Sequence, residues 1–290
     1  MDIQALNAHR CELGESPLWD PDEGVLYSVD IARRQVLRWR GESPDIWPQD
    51  AEPSCLARRQ GGGLLLARRD GLFAFGEARL EKLADPPYDP SKQRFNDGKV
   101  GPDGAWWIGT IDDARTPNAA LYRCAPRGIE LAASGITNSN GLAWSPDARS
   151  MYWADTKAHT VYRMPFDGGQ LGERTAWAQW APRETTEPLE AYAGRPDGAA
   201  VDEAGCYWVA MFEGQRLLRL SPSGALLQTV MLPVRCPTMP AFGGSDMRTL
   251  FLTSSREKRP NEELAAQPWA GAVLTLRVDT PGLAIPAVAW

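Results

Sequence analysis

With 290 residues, 43% of them hydrophobic and 23% charged, the chain has ample material for a packed core. Its formal net charge of −6 argues against nucleic acid or an anionic membrane surface as partner, because both repel an acidic protein. The longest apolar run, Leu64 to Ala67, is far too short to span a bilayer, and the polar opening MDIQALNAHRCELGESPLWD lacks the apolar core of a signal peptide. A cytoplasmic protein is expected.

Cys11, Cys55, Cys124, Cys206 and Cys236 are scattered, with no Cys-x-x-Cys pair, and read as reduced core thiols rather than a disulfide framework or zinc site. The only histidines, His9 and His159, offer no basis for a Ser-His-Asp triad or a histidine-rich zinc centre. Gly-x-Ser-x-Gly, P-loop and dinucleotide fingerprints are missing from the sequence.

In chain order, one pattern recurs. ESPLWDPDEGVLYSVD (15 to 30) gives a polar residue, Pro17, a few apolar positions, a Pro-Asp turn, then a strand rich in aromatic and β-branched residues. CLARRQGGGLLLARRDGLFAF (55 to 75) is its weakest copy. RFNDGKVGPDGAWWIGT (94 to 110), NSNGLAWSPD (138 to 147) and RPDGAAVDEAGCYWVAM (195 to 211) follow the same plan with glycine after the polar residue, and MPAFGGSDMRTLFLTSS (239 to 255) follows it with Pro240. The copies are spaced mostly about forty residues apart, the period of a four-stranded propeller blade. One longer interval is filled by APRETTEPLEAYAGR (181 to 195), a loop expected to border the pocket. Third strands are expected at Val161 to Met164 and Leu217 to Leu220, and a fourth in TAWAQWA (175 to 181).

The pattern predicts an all-β, six-bladed β-propeller with four antiparallel strands per blade, formed as a single domain over 1–290. Helix is expected only in loops such as NEELAAQ (261 to 267). Either DIQALNA or IPAVAW supplies the outer strand that closes the ring, and the twelve tryptophans pack between blades.

The first strand of each blade lines the channel, so the residues just before it lie near one mouth. Glu15, Asn96 or Asp97, Asn140 and Asp197 then converge from four blades. Asn-Gly and Asp-Gly are also ordinary turn dipeptides, but four oxygen donors in register suit a hard divalent cation such as Ca²⁺, Mg²⁺ or Mn²⁺.

GESPLWD, RFNDGKVGPDG, NSNGLAWSPD and RPDGAAVD, in that order, resemble the senescence-marker protein/gluconolactonase/regucalcin family of six-bladed propellers. PTMPAFGGSDMRTLFLTSS and AGAVLTLRVD extend the resemblance to about Val278. It implies one divalent ion (Ca, Mg, Mn or Zn) held by Glu15, Asn140 and Asp197, and hydrolysis of a sugar lactone. It further implies that Asp197 handles the proton of the attacking water and that Arg94 and Asn96 contact substrate. In GTIDDARTP, Asp112 or Asp113 would meet sugar hydroxyls. The expected reaction is direct attack of water on a polarised carbonyl, since no nucleophile–histidine pair is evident. Arg94 and its polar surroundings favour a polyhydroxylated substrate over the aryl esters or organophosphates of a related hydrolase. A non-catalytic propeller, whether a calcium binder or a protein-binding platform, is the other alternative; a platform has no need of an acidic channel mouth. No obligatory protein partner is expected.

Overall fold

Six short, largely buried runs begin the six sheets of the computed structural model, which describes residues 2–76 and 79–290. The first blade comprises Gly14–Asp20, Val25–Asp30, Gln35–Arg40 and Ser43–Pro48. The second comprises Pro53–Arg58, Leu64–Arg68, Gly71–Gly76 and Arg79–Ala84. Gln93–Val100, Trp106–Asp112, Ala119–Ala125 and Gly128–Ile136 form the third. Ser139–Trp144, Ser150–Asp155, Thr160–Asp167 and Thr175–Gln179 form the fourth, with the short Gln170–Leu171 also paired to its third strand. The fifth runs through Arg195–Val201, Tyr207–Phe212, Arg216–Leu220 and Leu226–Met231. All the pairings are antiparallel, inner to outer.

The sixth blade is built from both ends of the chain. Cys236–Gly243, Thr249–Ser255 and Leu274–Arg277 are joined by Ile3–Ala5 as the outer strand, with Ile3 opposite Leu276. Of the two candidate closing segments, DIQALNA is therefore the one used. IPAVAW instead straps the opposite face. Leu283 donates its amide to the Val201 carbonyl, and Val288, fully buried, pairs with Arg58 and Gln60 of the second blade. One short helix, Asn261–Ala266, falls where NEELAAQ predicts it.

Aromatic side chains bridge adjacent blades as expected. Trp107 of the third blade meets Trp144 and Phe166 of the fourth, Tyr152 meets Tyr207 of the fifth, and Trp208 meets Phe242 of the sixth. Such pairs add about 0.5–1.5 kcal/mol each beyond their area burial. All five cysteines are free and buried. Among the described residues no helix is long and apolar enough to cross a membrane.

Candidate metal and substrate site

The polar knuckles are β-bulges. Pairing between first and second strands slips between Glu15 and Leu18, Phe95 and Gly98, Asn140 and Ala143, and Pro196 and Ala199, with similar slips in the second and sixth blades. A bulge leaves residues unpaired and re-aims their side chains, which is why a polar knuckle precedes each hairpin turn. Neighbouring blades satisfy the freed groups: the Leu56 amide donates to Ser16 Oγ, the Leu142 amide to Asp97 Oδ2, and Tyr207 Oη to the Gly141 carbonyl. Gly141 is fixed by two constraints, a left-handed φ of +60° and the Tyr207 hydroxyl 2.4 Å from where a Cβ would sit.

These bulges gather one set of side chains around a cavity of about 140 Å³, lined by Glu15, Arg94, Asn96, Asn140 and Asp197 among others. Asn140 Nδ2 donates to Asp197 Oδ1 (2.5 Å) across two blades and to Thr156 Oγ1 (2.7 Å). Asn96 Nδ2 donates to Asn140 Oδ1 (2.8 Å), to the Ser139 carbonyl and to Asn138 Oδ1. Arg94 donates one guanidinium nitrogen to Asn96 Oδ1 (2.7 Å) and the Phe95 carbonyl. Arg94, Asn96, Asn140 and Asp197 are thus one hydrogen-bonded chain. Of the alternatives Asn96 and Asp97, Asn96 lines the cavity, whereas Asp97 is tied to the Leu142 amide.

Burial pushes the Asp197 carboxyl up to about 8; Asp97 adds to this, while Arg195 and Arg94 oppose it. Burial, then the Asp197 and Asp97 charges, also raise Glu15 well above the carboxylate range. A buried carboxylate and a partly buried one that resist sharing their charge, beside an amide oxygen, are a donor set that a hard cation suits. Among the described residues no group of three His, Cys, Asp or Glu side chains could hold a metal.

Asp112 and Asp113 do not line the cavity. Asp112 accepts from the Ala114 and Thr116 amides and from Thr116 Oγ1, bracing the turn that follows its strand. Asp113 pairs with Arg69 at 2.9 Å. A carboxylate at a strand end has backbone amides within reach, and in this structure both side chains are engaged by local partners. The same turn instead brings Arg115 to the cavity, and the end of the 181–195 loop brings Arg195. The rest of that loop does not line the cavity; Tyr192 docks on His159 and the Leu189 carbonyl on Arg235.

The sequence reading also missed the anchors. Asp155 accepts from the Thr137 amide (2.9 Å), the Asn138 amide (3.2 Å) and the Lys157 amide (3.1 Å), fixing the segment that enters the Asn140 strand. Asp30 does the same for the segment leading to Glu15, accepting from the Glu12 and Leu13 amides. The repeated Val-Asp and Ala-Asp at the ends of second strands were the available signal. Asp155→Ala leaves several amides without a buried charged acceptor, and is expected to cost at least about 3 kcal/mol. A lower urea midpoint at unchanged slope checks this; a loss below about 1 kcal/mol would mean the carboxylate is not the anchor.

A second cavity of about 200 Å³ opens on the opposite face, beneath the Leu283 to Pro286 tail. Its lining is largely apolar, with Lys99 and no carboxylate, so it offers no oxygen-donor set.

Fold and site together define a six-bladed propeller with a partly buried cluster of oxygen donors and arginines at one channel mouth. Residues 13–256 match the SMP-30/Gluconolactonase/LRE-like region, and the chain belongs to that family. It is 44% identical over 285 residues to a 6-deoxy-6-sulfogluconolactonase of Pseudomonas putida, covering 96% of this chain and 95% of that one. It is 33% identical to regucalcin of Gallus gallus, covering 94% and 93%. Among solved structures, a calcium-binding regucalcin of Agrobacterium tumefaciens superposes with a TM-score of 0.90 at 26% identity, over 99% of this chain and 97% of that one.

Proposed function

We propose that this chain hydrolyses sugar lactones to aldonic acids, using one divalent cation held by Glu15, Asn140 and Asp197. The observation that carries this reading is the meeting of Asn140 and Asp197, from separate blades, beside Glu15 and Arg94 in one cavity. The name of the Pseudomonas putida relative supports it, since it specifies the lactone of a gluconic acid.

Each donor keeps an oxygen lone pair for an ion. Among the described residues, Asn140 Oδ1 accepts only one hydrogen bond, Asp197 has its second oxygen, and Glu15 is engaged solely by a long hydrogen bond from the Ser16 amide. When bound, the cation supplies Lewis acidity at the lactone carbonyl. Asp197 takes the proton from water as its oxygen bonds to the carbonyl carbon. The ring C–O bond then breaks, and the proton passes to the leaving alkoxide. Arg94 is held in place by Asn96 and the Phe95 carbonyl, leaving further N–H groups for the sugar's oxygens. Asn96 positions both Arg94 and Asn140, in addition to facing substrate. The acid formed ionises and releases one proton to solution.

That proton is the assay. Across a panel of aldonolactones, release is expected to stop on chelation and to return with added Ca²⁺, Mg²⁺, Mn²⁺ or Zn²⁺. A rate indifferent to chelation, or turnover of aryl esters with no lactone turnover, would overturn the proposal.

A further inference from the structure

Asn140 and Asp197 sit on separate bulges, and both bulges are gripped from a strand that supplies no candidate metal ligand. The first strand of the third blade, Gln93–Val100, brings Arg94 and Asn96 to the cavity and carries Asp97 and Lys99 further along. Asp97 Oδ2 accepts from the Leu142 amide at 3.0 Å, two residues past Asn140. Lys99 Nζ skips the fourth blade and donates to the Ala199 carbonyl of the fifth, two residues past Asp197. The two bulges also meet each other. Tyr207 Oη donates to the Gly141 carbonyl at 2.7 Å, and a Cβ on Gly141 would stand 3.1 Å from the Asp197 carbonyl.

Stability alone is a poor account of Asp97 and Lys99, which are only 6% and 7% exposed. Burial raises the Asp97 carboxyl, and Lys99 is the first group to oppose it. Burial lowers the Lys99 ammonium to about 8 while the Asp97 charge raises it, so Lys99 is protonated at neutral pH. Asp97 Oδ1 is buried and has no hydrogen-bond partner among the described residues. Replacing buried opposite charges by well-packed neutral groups of similar volume is often neutral or stabilising, and an orphaned oxygen adds a cost. What the charges supply is a hold on the backbone. Pairing slips at a bulge, and hydrogen bonds to charged groups are stronger than neutral ones.

We propose that Asp97 and Lys99 are positioning residues that set the spacing of Asn140 and Asp197, by holding the backbone of their bulges at Leu142 and Ala199. Their work is done on the ligands' backbone rather than on the cation or the substrate. This inference rests on the reading of Asn140 and Asp197 as ligands of a divalent cation.

The test compares wild type with the double variant Asp97→Asn/Lys99→Met, which removes both charges and keeps both shapes. Calorimetry reads the affinity for Ca²⁺ and Mn²⁺. Nitrogen–proton NMR of the metal-free protein reads the side-chain amide of Asn140, identified by the signals lost in Asn140→Ala. Melting without divalent cation reads the fold. The double variant is expected to melt no lower than wild type, yet to bind either cation about 10–100-fold more weakly, with the Asn140 amide signals moved. If either the affinity or those signals match wild type, the proposal is overturned, whatever the melting temperature. Should the double variant not fold, Asp97→Asn alone is judged by the same two readings. Should wild type bind neither cation, the metal reading fails and the Asn140 signals decide: moved in the variant, they support the positioning role, and unmoved, they remove it.

Discussion

Asp197→Asn is expected to lower lactone turnover by about 10²–10⁴-fold, and a saturating divalent cation should not restore it. The substitution keeps the shape of the side chain and one oxygen. That oxygen is already claimed by Asn140 Nδ2 at 2.5 Å, so the new amide nitrogen turns toward the cavity. A hydrogen-bond donor then stands where a proton acceptor stood. The loss should appear in kcat, because the residue's proposed work is done in the transition state. Turnover measured against metal concentration checks this: a curve that climbs back to the wild-type plateau would mean Asp197 is a ligand only, with another group activating the water.

Much of this arrangement was legible in the sequence because propeller blades repeat. Glycine or proline after a polar residue, then an apolar run and a turn, marks a strand whose pairing slips at that point, and six copies marked six blades. Glu15, Asn140 and Asp197 could be found as repeat-equivalent polar residues. Arg115 could not, because its place at the cavity depends on how the turn after its strand is folded, which no single residue type announces. Asp112 and Asp113 illustrate the converse. Their charge suggested sugar contacts, and the partners the fold gives them are nearby amides and Arg69, which the sequence did not announce. Ring closure was ambiguous for a related reason. Both termini carry short apolar runs, and only tertiary pairing separates the strand Ile3–Ala5 from the strap that ends in Val288.

The second large effect is expected at Glu15, where catalysis and stability should move apart. Glu15→Gln removes one carboxylate from a buried group in which Asp197 and Asp97 already raise its proton affinity. Without divalent cation, the variant should therefore melt no lower than wild type, because a source of repulsion has gone. With the cation the order should reverse. Loss of an outer partner of a metal ligand typically costs about 10–100-fold in metal affinity, and loss of a charged ligand is expected to cost at least about 100-fold. Since the cation stabilises only the folded chain, that deficit removes about 2.7 kcal/mol of metal-linked stability. Turnover should return as metal is raised, unlike that of Asp197→Asn, and Asn140→Ala should follow Glu15→Gln in kind. Melting curves and rates taken over one metal titration read both effects. If Glu15→Gln and wild type show the same metal dependence in both measurements, Glu15 is not a ligand and the donor set has to be redrawn around Asn140 and Asp197.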